Sequence, residues 1–235
     1  MKATLHLDDE IFPPFDGFPA RGIRFLRQLK RNNKRSWFAE HKSEYEDFVK
    51  MPMQCCIAAL REPMARLAPE IEVNPRKNIF RIYRDTRFSK DKTPYKTHVA
   101  ALFHLRGRWE ESAGYYVHIE PGNVYVGGGV YAPNAQQIKK IRSAIIEQSN
   151  EFLSIVESGK FKKHFHKLEG EKLQRAPLGY ASDHPMIEWL KHKSFYTGVT
   201  WKEETCLSRT FVDRVVGVYK ELLPLVRFLN EAVGK

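Results

Sequence analysis

With 235 residues, 42% of them hydrophobic and 12% aromatic, the chain has the material for one large domain or two small ones around an ordinary buried core. Charged residues reach 29%, and no apolar run approaches the ~20 residues that a membrane-spanning helix needs, which excludes a helical integral membrane protein. The net charge of +11 is concentrated: residues 76–96 hold eight cations and two anions, +6 in all, leaving +5 for the rest of the chain. Such a cluster focuses a local field, where uniform basicity would give only weak attraction to nucleic acid or membrane.

In chain order, residues 1–18 read as an extended entry segment. "MKATLHLDDEIFPPFDGFPARG" is acidic and broken by proline, unlike a secretory signal. From about Pro19, Ile23, Leu26 and Leu29 fall at helical spacing until "KRNNKR" breaks the pattern. Trp37, Phe38, His41, Tyr45, Phe48 and Val49 continue it in a longer helix that Pro52 is expected to kink or end. A further helix carries Ile57, Leu60, Met64 and Leu67 toward Pro69, with Pro63 disturbing it. These stripes are core faces.

The period then changes. "NIFRIYR" (Asn78–Arg84) and "THVAALFHLRG" (Thr97–Gly107) read as strands, and "AGYYVHIE" with "NVYVGGGVY" around "PGN" is a hairpin signal. Gly127, Gly128 and Gly129 mark a bulge or a close approach of backbone or ligand. A long amphipathic helix follows, capped by Asn134 and carrying Ile138, Ile141, Ile145, Phe152 and Ile155. After a basic stretch ("KFKKHFHK") come a turn and a short helix, a fifth strand in "FYTGVTW", and a last helix from about Ser208 that Pro224 interrupts. Helices, then strands, then helices predict a single α+β domain over residues 1–235: a central antiparallel sheet of about five strands packed by N- and C-terminal helices. The three cysteines, Cys55, Cys56 and Cys206, include no CxxC pair, so reduced thiols in a cytoplasmic protein are expected rather than disulfides or a cysteine zinc site.

Strand alternation predicts two faces. Phe80 and Ile82 point into the core with Val99, Ala101, Phe103, Leu105, Val117 and Ile119. Arg81, Tyr83, Asp85, His98, His104, Tyr116, His118 and Glu120 share the opposite, polar face. A slip of one residue would invert the assignment.

Between the first two strands lies "RIYRDTRFSKDKTPYK". Arginine's planar fork suits phosphate or carboxylate, and Pro94 stiffens the loop and extends Thr93. The candidate ligand-binding residues are Arg81, Tyr83, Arg84, Arg87, Lys90, Lys92, Tyr95 and Lys96; Asp85, His98 and His118 are the candidates for acid–base work. The alternative for the same charges is a solvated edge loop paired with its own acids. His118 and Glu120 share a face at i, i+2, with His98 and His104 on the neighbouring strand. No HExxH or carboxylate-rich cluster accompanies them, and no metal or cofactor is assigned. There is no phosphate loop, dinucleotide fingerprint or nucleophile elbow.

"FLRQLKRNNKRSWF", "RIYRDTRFSKDKTPYKTH", "GYYVHIEPGNVYVGGGVY" and "APLGYASDHPMIEWLKHKSF" together resemble the family catalogued as domain of unknown function 2461, from about Phe18 into the last third of the chain. The resemblance implies a single α+β domain of soluble bacterial and fungal proteins, with the Arg81–Lys96 stretch as its hallmark. It implies no reaction and no catalytic residues.

Three functions are consistent with these features: a protein that binds a phosphate-bearing small molecule, with or without phosphoryl or hydrolytic chemistry; a nucleic-acid-binding module without catalysis; and a partner-binding protein whose charge meets an acidic surface. No membrane partner is expected, and the oligomeric state is open.

Overall fold

The stripe of Ile23, Leu26 and Leu29 becomes the buried face of helix α1 (Ala20–Arg31). The computed structural model describes residues 12–108 and 112–234, so most of the expected entry segment lies outside the described residues; residues 12–19 precede α1 without regular structure. After a break at residues 32–34 come α2 (Arg35–Glu40) and α3 (Lys42–Tyr45), then a π-helical turn (Glu46–Lys50) that runs straight into α4 (Met51–Leu67).

Neither Pro52 nor Pro63 ends a helix. Pro52 is the second residue of α4, directly after the π turn, where the helical hydrogen-bond ladder is already rearranged. Pro63 lies inside α4, and Pro224 inside the C-terminal helix α9 (Phe211–Gly234). An interior proline costs about 3 kcal/mol. Both helices carry fully buried side chains on either side of it, such as Leu60 and Met64, and Leu222 and Leu225, each contributing about 1.5–3 kcal/mol.

Four strands form one antiparallel meander in chain order: β1 (Val99–His104), β2 (Gly114–Glu120), β3 (Asn123–Val130) and β4 (Phe195–Trp201). The β2–β3 hairpin closes with Glu120 opposite Asn123 around Pro121 and Gly122, as "PGN" predicts. One face carries Val99, Ala101, Phe103, Val117, Ile119, Val124 and Val126, all buried. On this side α9 packs against β2 and β3, and α4 against β1. The amphipathic helix after β3 is broken at Gln148 into α5 (Ala135–Glu147) and α6 (Ser149–Val156); Asn134 caps α5 through a reciprocal box with Gln137. Short helices α7 (Gly159–Phe165) and α8 (Ile187–Leu190) lead into β4. The three cysteines are buried and unbridged, and among the described residues no helix is long and apolar enough to cross a membrane.

Among the described residues the sheet has four strands rather than five, because Asn78–Arg84 is not a regular strand. It runs along β1 through single bridges, Ile79 opposite Ala101 and, after leaving β1, Tyr83 opposite Tyr95. The buried Asn78 amide donates to the Leu102 carbonyl at 2.8 Å, and the Phe80 amide donates to Ala100 at 2.9 Å. The chain then bends at Ile82, so the expected alternation fails: Ile79 packs on the core and Ile82 is buried, whereas Phe80 sits on the outer face against Tyr116, ring centroids 6.3 Å apart. His104 does not join that outer face as a surface group either. Its side chain is buried, with Nδ1 hydrogen-bonded to the Leu105 carbonyl at 2.9 Å.

The three glycines of β3 are not a bulge, since pairing continues through them to β2 and β4. Gly129 adopts φ +128°, and a Cβ there would lie 2.1 Å from the Phe195 carbonyl oxygen. Gly129→Ala is therefore expected to destabilise the fold by about 3 kcal/mol, through strain and collision together. A urea midpoint unchanged from wild type would overturn this account of β3.

Candidate functional site

The basic stretch forms a self-tied hairpin. After the Tyr83–Tyr95 bridge, the Arg84 amide donates to the Pro94 carbonyl at 2.9 Å and the Lys96 amide to the Ile82 carbonyl at 2.8 Å. Between these arms, both carboxylates are consumed by the loop. Asp91 accepts from the Thr93 amide at 2.9 Å and hydroxyl at 3.0 Å, and from Arg84 Nη1 at 2.5 Å. Arg84 Nη1 also donates to the Thr93 carbonyl at 3.1 Å and contacts its hydroxyl. Asp85 accepts from the Arg87 amide at 3.1 Å and holds the guanidinium through Nε at 3.0 Å and Nη2 at 2.7 Å. These contacts keep both carboxyls ionised. Asp85 is held down to about 2, first by the Arg87 side chain, and Asp91 to about 2, first by the Thr93 amide and then by Arg84.

The hairpin is fastened to the α1–α2 turn. The Asn33 amide donates to the Tyr95 carbonyl at 2.9 Å, and the Tyr95 amide donates back to Asn33 Oδ1 at 3.0 Å, as a strand partner would. Phe38 of α2 stacks on the Tyr95 ring, centroids 4.2 Å apart, and Tyr83 leans on both.

Between turn and hairpin lies a cleft of about 600 Å³. Asn33, Lys34 and Arg35 form one wall; Tyr83, Arg84, Thr86, Lys92, Pro94 and Tyr95 form the other. Among the described residues four cations line it and no carboxylate does. Arg84 brings its own counter-ion in Asp91, so the excess positive charge comes from Lys34, Arg35 and Lys92. Lys92 is steadied by donating to the Thr86 carbonyl at 2.9 Å. Lys34 and Arg35 make no ion pair among the described residues.

Of the sequence-predicted ligand residues, Tyr83, Arg84, Lys92 and Tyr95 thus meet in the cleft. The expected convergence of all the arginines does not occur. Arg87 is turned onto Asp85, and Lys90 is exposed away from the cleft lining. Arg81 and Lys96 lie beside Phe80, where Lys96 Nζ donates to the Arg81 carbonyl at 3.0 Å and sits 4.9 Å from the Phe80 ring centre. Of the acid–base candidates, Asp85 is tied to Arg87, and His98 and His118 stand on the outer sheet face with their rings 5.3 Å apart. His118 is locked. The Asn123 amide nitrogen donates to its Nε2 at 3.3 Å, so Nδ1–H donates to the Tyr116 oxygen at 3.3 Å. Burial, then the neighbouring His98, pushes its pKa down to about 4, so the ring is neutral at neutral pH. Burial also lowers His98. Glu120 accepts from Thr97 at 3.2 Å and lies 3.7 Å from Lys30; among the described residues, no three such groups gather as a metal site.

Sequence reasoning missed Asn33, Lys34 and Arg35, which it took only as a helix break. The available signal was the run "KRNNKR" itself, four exposed cations around two asparagines that tolerate turns.

A family model described as "Conserved hypothetical protein (DUF2461)" matches residues 21–228, which include the α1–α2 turn, the hairpin and the whole sheet. No curated protein and no solved structure matches the chain.

Two outcomes are expected. Asn33→Ala removes both bonds to the Tyr95 backbone and should cost about 1–3 kcal/mol, read as faster hydrogen exchange at the amides of Arg84 and Lys96; exchange equal to wild type would detach the hairpin from this anchor. The Asp85 and Asp91 pKa values are depressed from 3.8, so their ties are fully present above about pH 4 and are lost as pH falls through about 2. Carboxyl titration by NMR should give midpoints near 2 for both, and midpoints near 3.8 would break the described ion pairs.

Proposed function

Since the chain belongs to the DUF2461 family, whose description carries no activity, we propose from its geometry that it binds a phosphate-bearing ligand in the cleft between the basic hairpin and the α1–α2 turn. The observation that carries this reading is a cleft of about 600 Å³ whose lining, among the described residues, holds Lys34, Arg35, Arg84 and Lys92 and no acidic residue. That volume suits a ligand of nucleotide size. Arg84 is held in place by Asp91 and the Thr93 carbonyl through Nη1, and none of the hydrogen bonds described takes its Nε or Nη2. An oriented guanidinium is a better anion receptor than a free one, because little freedom remains to be lost on binding. Tyr83 and Tyr95 supply an apolar flank for the rest of the ligand.

The reading is one of binding. Asp85 is engaged by Arg87, and neither His98 nor His118 borders the cleft, so none of the three stands where a ligand phosphate would sit. Three buried thiols without a disulfide favour a reducing compartment, and we place the protein in the cytoplasm on that basis.

The test is calorimetric titration of inorganic tripolyphosphate into wild type and the Lys34→Ala/Arg35→Ala double variant. Each charge-assisted contact is worth about 1.5–3 kcal/mol, so the variant should bind at least tenfold more weakly while its urea midpoint stays within experimental scatter. Both residues are surface groups of the turn, and neither ties the hairpin. Absence of wild-type binding, or equal binding by the variant, would sink the assignment.

A further inference from the structure

The outer face of the sheet carries an unbroken series of rings. Phe80 meets Tyr116 at 6.3 Å, Tyr116 meets Tyr125 at 6.2 Å, Tyr125 meets His118 at 5.9 Å, and His118 meets His98 at 5.3 Å. All five are partly exposed, and α4 and α9 lie on the opposite face. The sheet is built to lay one of these rings flat. Opposite each other on β3 and β4, Gly127 and Gly198 bring no side chain. A Cβ on Gly127 would come within 2.7 Å of the Tyr125 ring, and one on Gly198 within 2.6 Å. Tyr125 therefore lies across two strands instead of standing up from them, with its hydroxyl donating to Glu169 at 3.4 Å.

Charge borders this surface on one side. Lys96 hangs over the Phe80 ring, and Arg81 follows Phe80 directly without an ion pair among the described residues. Tyr83, on the wall of the cationic cleft, comes three residues after Phe80, which limits their backbone separation to at most about 10 Å. The carboxylates of the face are already engaged, Glu120 by Thr97 and Lys30 and Glu169 by Tyr125.

We propose that this face is a stacking platform for successive unpaired nucleobases, so that the ligand of the cleft is a single-stranded nucleic acid; this rests on the phosphate-binding reading of the cleft. Five rings in series exceed what one small aromatic ligand covers, and they match a strand whose bases splay out one after another. The neighbouring cations, through Arg81 and Lys96 to Lys34 and Arg35, offer its backbone a track. A duplex has its base faces stacked internally and cannot use the rings.

The experiment is fluorescence anisotropy with a labelled twelve-residue oligothymidylate and with a duplex of equal length, alongside tripolyphosphate calorimetry. Wild type should bind the single strand at least tenfold more tightly than the duplex. Tyr116→Ala and Phe80→Ala should each weaken oligonucleotide binding about five- to a hundredfold while tripolyphosphate affinity is unchanged. Tyr116→Phe, which keeps the ring, should retain binding, and Tyr116→Leu, which keeps bulk without the ring, guards against simple unfolding. Single-strand binding that survives both Tyr116→Ala and Tyr116→Leu, or a duplex bound as tightly, overturns the platform. If tripolyphosphate binds through Lys34 and Arg35 but the oligonucleotide binds no more tightly, the platform fails and the cleft stands. If oligonucleotide binding needs Tyr116 but not Lys34 and Arg35, the rings bind bases but the strand is not the ligand of the cleft, and the proposal as stated is overturned, while tripolyphosphate calorimetry alone decides the cleft.

Discussion

Six cations within residues 81–96 repel one another, and the local structure is organised around containing that repulsion. Two unit charges 7 Å apart in water cost only about 0.6 kcal/mol, but several such pairs in one loop compete with the small energies that hold any loop shut. Asp85 and Asp91 answer this from inside. Each closes a turn with a backbone amide two residues on and grips one guanidinium. The remaining order comes from outside, from Asn33 clasping the Tyr95 backbone and Phe38 stacking on its ring. A loop that neutralised only itself would float. Anchored at Asn33, it makes one wall of a cleft, with Arg84 and Lys92 on that wall and Lys34 and Arg35 on the facing one.

Much of the scaffold was legible because it rests on local signals. The "PGN" turn, the Asn134 cap and the stripe of α1 each follow from a spacing or a turn preference within a dozen residues. The prolines misled because a propensity is a local penalty, whereas Leu60, Met64, Leu222 and Leu225 are buried by distant elements. The segment 78–84 misled for the opposite reason. Its alternation is real, but pairing with β1 ends where the chain bends at Ile82 to meet its own returning arm, and no pattern within seven residues encodes that competition.

The site was legible in one half only. Density of charge singled out Arg81–Lys96, and Tyr83, Arg84, Lys92 and Tyr95 do line a common cleft. Which cation binds its own acid was not legible. Asp85 and Asp91 sit among six cations, and the pairing depends on where each turn closes. The opposing wall lies 62 residues earlier, at Asn33, a separation across which charge spacing says nothing.

The irregularity at Ile82 has a consequence that a regular strand would forbid. Strict alternation would place Phe80 and Ile82 on one face, and either Phe80 would be lost into the core or Ile82 exposed. The bend lets Ile82 stay buried while Phe80 joins the rings on the outer face. Beyond it, Tyr83 turns away to pack on Phe38 and border the cleft. One short segment thereby borders two surfaces of different chemistry, an aromatic face and a cationic cleft, with Arg81 between them. Extending β1's partner into a full fifth strand would gain a few ladder hydrogen bonds, each worth about 1 kcal/mol net, but it would restore the alternation that puts Phe80 and Ile82 on one face. The broken strand is thus the feature that sets the two surfaces side by side.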